Sequence, residues 1–188
     1  MPRPKSDVKR SAILEAATRV IVTQGLSAPT AVISKAAQIP NGSLFTYFAT
    51  KGELFDQLYL ELKREQAIAA MEGLLRDAEL SAQLFHIWNN WMEWAVSWPE
   101  KRRAMEQLDV SDEISSETRR AAHNAMAGVA DLVDRVRAKG HLRKAPLRFV
   151  VGIVNSTAET TMEFMDLDPW NAKNYCRAGF DAVWRVLN

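Results

Sequence analysis

A chain of 188 residues that is 47% apolar and 25% charged has the composition of a globular protein with one or two domains. No apolar run approaches the length of a membrane span, and the first residues lack the apolar core of a signal peptide. Cys176 is the only cysteine, which excludes an internal disulfide. We therefore expect a cytoplasmic protein with no membrane partner.

The net charge of +1 is distributed unevenly along the chain. Residues 1–51 contain seven basic and two acidic residues, whereas the remainder contains 17 basic and 21 acidic residues. A basic end on an otherwise acidic chain favours a polyanionic partner for that end. The same charges also suit an ordinary mixed-charge surface, so charge alone leaves both interpretations open.

Helical periodicity and breaker residues predict nine helices and no strand. After a loose basic arm, residues 1–5, the first helix follows Ser6 and ends at Gly25. A second helix begins near Pro29, where proline is tolerated, and a third spans about 41–47. In the second helix the expected buried residues are Val32, Ile33 and Ala36.

A capping box formed by Thr50 and Glu53 predicts the start of a long fourth helix that continues to about residue 77. In such a box the Thr50 hydroxyl accepts from the Glu53 amide, and the Glu53 carboxylate accepts from the Thr50 amide. A further cap at Ser111 and Asp112 begins the seventh helix. The five later helices are predicted at residues 81–97, 99–108, 111–139, 146–165 and 169–187.

Residues 29–51 have the form of a helix-turn-helix, in which two short helices are joined by a tight turn at 38–40. Gly42 lies early in the third helix, where glycine costs about 1 kcal/mol relative to alanine. Its presence there indicates that the backbone approaches a partner closely. In proteins with this motif, the start of the second helix of the pair enters the major groove of DNA.

The residue types around Gly42 suit that role. Asn41, Ser43 and Thr46 can hydrogen-bond to base edges, and Phe45 can contact thymine methyl groups. Lys51 lies in the first turn of a helix, where the helix dipole disfavours a cation, and a bound phosphate would resolve that conflict. The alternative is that Gly42 and Ser43 only begin a short helix and that Lys51 is a solvated charge. The proposed DNA-contacting set, with Thr30 and Tyr47 on phosphates, is Thr30, Asn41, Gly42, Ser43, Phe45, Thr46, Tyr47 and Lys51.

The segment A-A-Q-I-P-N-G-S-L-F-T-Y-F-A-T-K-G-E-L, residues 36–54, resembles the DNA-binding domain of the TetR family of bacterial repressors. The resemblance implies a homodimer, an all-helical ligand domain and release of DNA when a small molecule binds. Two residues depart from the family pattern. Gln38 occupies a turn position that is usually glycine, and Pro40 replaces the usual Ser or Thr cap of the recognition helix.

The fold class expected from these features is all-α. A three-helix helix-turn-helix DNA-binding head, residues 1–50, would be attached to a six-helix ligand-binding and dimerisation bundle, residues 51–188.

The fifth predicted helix carries four tryptophans between residues 88 and 98, which is more than a small core requires. Together with Asn155 and Glu159 on the eighth helix, they could form an aromatic cavity for a flat, apolar cation. The alternatives are an ordinary core for the aromatic residues and a salt bridge for Glu159.

Segments 49–63, 108–111 and 158–164 are similar to a TetR subgroup that senses many drugs and governs multidrug efflux. That resemblance implies a ligand pocket between the fourth, fifth, seventh and eighth helices. The residues that would line it are Tyr59, Lys63, Trp88, Met92, Val151, Val154, Asn155 and Glu159.

We expect the predicted eighth and ninth helices to form the homodimer. An apolar stripe on the ninth helix runs from Cys176 to Leu187, and Gly179 permits close approach of another helix. The same stripe could instead be core within one chain. Two heads that bind one palindrome need a rigid dimer with a spacing of roughly 34–36 Å, which favours dimerisation.

No motif for catalysis, metal binding or a cofactor is present, since His86, His123 and His141 lie on separate segments. The sequence therefore predicts a ligand-responsive repressor that binds a palindromic operator as a homodimer and leaves it when a small inducer binds. One alternative is a helical small-molecule-binding protein with a degenerate DNA-binding head. Another is a DNA-bending protein without a ligand.

Overall fold

The computed structural model describes residues 5–188, with side chains from Asp7 onward. Regular structure in this range consists of ten α-helices and a short 3-10 helix, Pro169–Asn171, without any strand, so the predicted all-α class is confirmed. Apart from the backbone of Lys5, the predicted basic arm lies outside the described residues. The helices are α1 (Lys5–Gln24), α2 (Thr30–Ala36), α3 (Asn41–Leu44), α4 (Lys51–Met71), α5 (Leu80–Ser97), α6 (Pro99–Asp109), α7 (Ser116–Ala125), α8 (Ala127–Arg137), α9 (Leu147–Leu167) and α10 (Ala172–Leu187).

The chain divides into two compact units. The first contains the residues up to Arg64 together with Pro99–Asn124, and the second contains Glu65–Trp98 together with Ala125–Asn188. The helix-turn-helix therefore packs in one unit with the first two-thirds of α4 and with α6 and α7. None of the helices in residues 5–188 is both long and apolar enough to cross a membrane.

The core of the first unit is built from apolar residues at helical spacing. Ile13 and Ile21 of α1 and Ile33 of α2 are each at most 1% exposed, and burying such a side chain contributes about 1.5–3 kcal/mol. Ala36 was expected in this core but is exposed, whereas Ser34 is buried. Ser34 is buried because its hydroxyl is hydrogen-bonded to Asn41, where the chain turns into α3.

The predicted seventh helix is divided into α7 and α8 at Met126. This break falls beside the boundary between the two units, and no proline marks it in the sequence. The cap of α7 is Ser115 rather than Ser111, because the Ser115 hydroxyl accepts from the amide of Thr118 over 3.1 Å. Ser111 instead accepts from the Glu113 amide within a turn.

Helix α4 ends at Met71, six residues before its predicted end. Gly73 has a φ of +69°, and side chains from α5 bind the last carbonyls of the helix. Asn90 donates to the carbonyls of Ala69 and Glu72, and a ring nitrogen of His86 lies 2.6 Å from the Glu72 carbonyl. These contacts satisfy helix-terminal acceptors that have no partner within the helix.

The second unit buries the tryptophan-rich helix α5 against α8, α9 and α10. Trp88 is 3% exposed, and its indole nitrogen donates to the carbonyl of Cys176 on α10 over 2.9 Å. A Cβ at Gly179 would lie only 2.2 Å from the Thr161 hydroxyl and 2.9 Å from the Trp88 ring. Gly179 therefore allows α10 to approach α9 and α5 within one chain.

Candidate nucleic-acid interface and ligand-contact residues

The turn between α2 and α3 closes with the hydrogen bonds of a Schellman motif. The amide of Ile39 donates to the carbonyl of Ser34, and the amide of Gln38 donates to the carbonyl of Lys35. Gln38 has a φ of +57°, the left-handed conformation that this motif requires and that glycine adopts at least cost. The turn position that is usually glycine in the TetR pattern is therefore left-handed here, with a glutamine in it.

Helix α3 is shorter than predicted, since it ends at Leu44 and continues as turns through Tyr47. Leu44 and Phe48 are each 0% exposed, which fixes this segment on the core of the first unit. The opposite side carries most of the residues proposed to contact DNA. Asn41, Gly42, Phe45 and Thr46 are exposed, while Ser43 and Tyr47 are half-buried.

Nothing in the described part of the chain requires residue 42 to be glycine. A Cβ built at this position would meet no atom within 4 Å, and its φ is not in the left-handed region. Pro40, the residue before α3, supplies no side-chain cap. The start of α3 is therefore a smooth surface onto which another backbone could pack closely.

Two of the proposed base-reading groups already take part in hydrogen bonds. The Thr46 hydroxyl donates to the carbonyl of Ser43 over 2.7 Å, and Asn41 Oδ1 lies 3.2 Å from the Ser34 hydroxyl. The Thr46 oxygen can still accept a hydrogen bond, and the Asn41 amide nitrogen can still donate one. These internal bonds orient both side chains.

The side chain of Lys51 already contacts two groups of the first unit. Its Nζ donates to the carbonyl of Leu26 over 2.5 Å and lies 5.2 Å from the centre of the Phe55 ring. An ammonium group has three donors, so two remain for other acceptors. Thr30, the first residue of α2, is half-buried.

The predicted capping box begins α4, with one change of partner. The Glu53 amide donates to the Thr50 hydroxyl over 3.0 Å, as predicted. The Glu53 carboxylate, however, accepts from the amide of Ala49 over 2.7 Å rather than from that of Thr50. It thereby ties the turn after α3 to the first turn of α4.

Sequence reasoning missed a polar network that extends from this cap. Gln57 donates to Glu53, and Arg10 on α1 donates to Gln57 over 2.6 Å and to Glu61 over 3.0 Å. The network connects α1 to the same face of α4 that holds the turn after α3. The four-residue spacing of Glu53, Gln57 and Glu61 was a visible signal, but nothing in the sequence identified Arg10 as their partner.

Tyr59 and Lys63, which were expected to line the ligand pocket, both contact Asp109 of α6. The Tyr59 hydroxyl donates to the Asp109 carboxylate, and Lys63 Nζ lies 3.4 Å from the other carboxylate oxygen. Burial, followed by the hydrogen bond and negative charge of Asp109, raises the pKa of Tyr59 well above its ordinary value. Arg119 of α7 donates to the carbonyl of Asp109, so four residues of the first unit meet here.

The other six proposed ligand residues belong to the second unit. Trp88 and Met92 on α5 are buried, at 3% and 0% exposure. On α9, Val151, Val154 and Asn155 are half-buried, and Glu159 is exposed without an ion-pair partner among residues 5–188.

The apolar stripe on α10 is buried inside the chain. Cys176, Phe180, Val183 and Leu187 are each at most 5% exposed, which is the intramolecular alternative considered for this stripe. Burial also raises the pKa of the Cys176 thiol. A dimer that uses α9 and α10 therefore has to use their outer faces.

An exposed short helix held after a tight turn on a three-helix core defines the helix-turn-helix class of DNA-binding proteins. Residues 13–58 match the family model described as bacterial regulatory proteins, tetR family. Over 67 residues the chain is 34% identical to the uncharacterized HTH-type transcriptional regulator YhgD of Bacillus subtilis (strain 168). That alignment covers 35% of this chain and 35% of YhgD.

Solved structures share the fold over nearly the whole length. A TetR family transcription regulator from Shewanella sp. PV-4 is 26% identical and superposes with a TM-score of 0.84 over 94% of this chain and 96% of that one. Another from Marinobacter aquaeolei VT8 is 20% identical, with a TM-score of 0.82 over 98% of each chain. FadR of Bacillus subtilis, in complex with stearoyl-CoA, is 14% identical, with a TM-score of 0.71 over 95% of this chain and 99% of FadR. Residues 13–58 thus resemble the tetR family of bacterial regulatory proteins, and nearly the whole chain shares the fold of solved TetR family regulators.

Proposed function

We propose that the protein is a homodimeric, ligand-responsive transcriptional repressor that binds a palindromic operator. The observation that carries the proposal is the arrangement of α3. The apolar side chains of Leu44 and of Phe48, just after the helix, are fully buried, while Asn41, Gly42, Phe45 and Thr46 are exposed. Such a surface provides hydrogen-bonding groups, one aromatic ring and an unobstructed backbone for the major groove.

In this proposal the DNA contacts divide into two kinds. Asn41, Ser43, Phe45 and Thr46 read bases, and Gly42 lets the backbone come close. The phosphate contacts come from Thr30, Tyr47 and Lys51, which lie at the edges of the same surface.

The DNA-binding function is assigned to residues 1–50, and ligand binding and dimerisation are assigned to residues 51–188. This division concerns function rather than packing, because the first compact unit also includes parts of the chain after residue 50.

We further propose that the inducer is a small aromatic or cationic molecule, as in the multidrug-sensing subgroup. The support is the aromatic character of α5 and the half-buried polar and apolar side chains of α9. Trp88, Met92, Val151, Val154, Asn155 and Glu159 are the proposed contacts in the second unit, and Tyr59 and Lys63 are those in the first. A ligand that reaches Tyr59 or Lys63 must compete with Asp109 for them.

Exposed apolar and small side chains on the outer faces of α9 and α10 support dimerisation through these two helices. Phe149 and Phe164 on α9 are 58% and 46% exposed, and Ala178 and Ala182 are exposed on α10. Exposed apolar groups beside small residues are typical of a helix-packing surface.

A ligand screen tests the repressor proposal. The purified protein is heated with a panel of aromatic cations, such as ethidium and rhodamine 6G, and with stearoyl-CoA, because one structural neighbour was solved with that molecule. Compounds that raise the melting temperature are then added to a gel shift with operator DNA. Stabilisation together with loss of the DNA complex supports the mechanism. A ligand that binds the DNA-free conformation more tightly than the DNA-bound one must lower the affinity for DNA. Stabilisation without any effect on DNA binding would contradict it.

A further inference from the structure

The exposed face of α9 has a pattern that is symmetric about its middle. Apolar side chains lie at its two ends, with Phe149 at one end and Phe164 and Leu167, 46% and 71% exposed, at the other. Between them three of the exposed positions are small, namely Gly152, Ser156 and Thr160, and the other two are Glu159 and Glu163. Successive apolar and small members are three or four residues apart, so they share one side of a helix with 3.6 residues per turn.

The segment before and at the start of α9 is basic, whereas the rest of α9 and the residues just after it are acidic. Residues 135–148 contain six basic residues and no acidic residue, whereas residues 149–172 contain four acidic residues and no basic one. Arg137 is committed to the chain itself, since it donates to the carbonyls of Leu142 and Ala145 and pairs with Asp134. Arg148 and Glu163 are exposed, and neither has an ion-pair partner in the described part of the chain.

These residues pair around one point. Arg148 with Glu163, Phe149 with Phe164, and Gly152 with Thr160 all have midpoints within one residue of Ser156. In an antiparallel pair of identical helices related by a two-fold axis, residues at equal distances on either side of the axis face each other. With the axis at Ser156, basic residues meet acidic ones, apolar side chains meet at both ends, and small residues meet in the middle.

We propose that a second copy of the chain packs its α9 antiparallel on this face, with Ser156 next to the two-fold axis and Arg148 opposite Glu163 of the partner subunit. The inference rests on the proposed homodimer and goes further, because it assigns the helix register and the charge pair that selects it. Each dimer then contains two copies of the same charge pair.

The charges on the outer face of α10 do not select a register. Arg177 is paired with Asp181 on the same helix, at 3.1 Å, so these opposite charges already satisfy each other. Gly152 of α9, by contrast, leaves open space, because a Cβ there would meet no atom within 4 Å. Close approach to α9 is therefore available to a partner helix.

Charge reversal tests the register. In full-length protein, Arg148→Glu and Glu163→Arg are made separately and together, and the dimer dissociation constant is measured by sedimentation equilibrium at low salt. Each single variant places like charges opposite each other twice per dimer, so the dissociation constant should rise about tenfold. The double variant restores both pairs and should return to within about threefold of wild type. Arg76→Glu, an exposed charge reversal outside α9, is the matched control and should change nothing.

Mixing the two single variants provides a second readout. If Arg148 faces Glu163 of the partner subunit, a heterodimer of the Arg148→Glu chain with the Glu163→Arg chain has two attractive pairs, whereas each homodimer has two repulsive ones. Native mass spectrometry of differently tagged chains should then show mainly heterodimer.

The outcomes separate the register from the homodimer itself. A wild-type protein that is monomeric at tens of micromolar would overturn both the homodimer and the register. A wild-type dimer that neither single variant weakens would overturn the α9 register while leaving the homodimer in place. Weakened single variants without rescue in the double variant, or a statistical mixture of dimers, would overturn the Arg148–Glu163 pair.

Discussion

Lys51 Nζ donates a hydrogen bond to the main-chain carbonyl of Leu26, 2.5 Å away. The contact joins the first turn of α4 to the loop between α1 and α2, so it holds in place two segments that flank α3. A cation in the first turn of a helix is disfavoured by the helix dipole, and this carbonyl offsets part of that cost. Lys51 therefore has a structural role in addition to the proposed phosphate contact.

Replacing Lys51 with methionine separates the two roles. Methionine keeps an apolar stem near Phe55 but removes the donor, so unfolding should become easier by about 1 kcal/mol, a modest value for a partly exposed charged hydrogen bond. If Lys51 also binds a phosphate, the slope of log affinity against log salt should decrease by about one unit. Thermal unfolding and fluorescence anisotropy at several salt concentrations measure both. Lys35→Met, at an exposed position of α2, is the stability control, and an unchanged slope for Lys51→Met would mean that the role is structural only.

Gly42 offers a way to reduce DNA binding without loss of stability. Since a Cβ at this position meets nothing in the protein, Gly42→Ala should leave the melting temperature unchanged or raise it by a few degrees, as alanine favours helix. In the proposed complex the added methyl group would separate α3 from the DNA, and affinity should fall at least tenfold. Thermal melting measures the stability of the Gly42→Ala variant, and fluorescence anisotropy measures its affinity for DNA. Wild-type affinity in Gly42→Ala would show that the backbone at this position does not approach DNA.

Gln38 is strained where a glycine would be relaxed. Replacing it with glycine removes a left-handed cost of about 1 kcal/mol and should raise the melting temperature by roughly 2–4 °C for a chain of this size. Gln38→Ala retains a Cβ in the same conformation and should give no such gain. Lys35→Gly, in the helical part of α2, should instead destabilise by up to about 1 kcal/mol. Equal effects of glycine at positions 35 and 38 would be inconsistent with strain at Gln38.

The raised pKa of Tyr59 predicts a specific dependence of stability on pH. Below tyrosine's ordinary value of 10.0, both the folded and the unfolded chain keep the phenolic proton, and the bond to Asp109 stabilises the fold. Above that value the unfolded chain releases the proton first, so the stability from this group declines as pH rises towards the folded pKa. Urea unfolding at pH 8, 9, 10 and 11 should show wild type more stable than Tyr59→Phe, by an amount that shrinks above pH 10. A difference that stays constant or widens would contradict this assignment.

Features that depend on neighbours in the sequence were predictable. The all-helical class, the turn at Gln38 and the bond from the Glu53 amide to the Thr50 hydroxyl each follow from residues a few positions apart, and the structure confirms them. Long-range polar pairs were not predictable. Arg10 lies 47 and 51 residues from its partners Gln57 and Glu61, and Tyr59 lies 50 residues from Asp109, so no local pattern connects them.

Periodicity also indicates that a face is buried without showing what covers it. The stripe from Cys176 to Leu187 was equally consistent with a dimer interface and with core, and the structure buries it within one chain. Gly179 gave the same ambiguous signal, because close helix approach serves either purpose. The residues proposed to contact DNA and ligand remain predictions, since no local rule decides which outer molecule a polar surface meets.

Selection of binding sites from a random duplex library tests most directly whether the protein is a sequence-specific operator-binding regulator. Purified full-length protein is taken through successive rounds at 150 mM salt, and the retained DNA is sequenced. We expect enrichment of a palindrome whose half-sites are about one helical turn apart or a multiple of it, and the enriched DNA should bind at least about a thousand times more tightly than a shuffled duplex. A pool that stays random, with equal affinity for enriched and shuffled DNA, would contradict the proposed function.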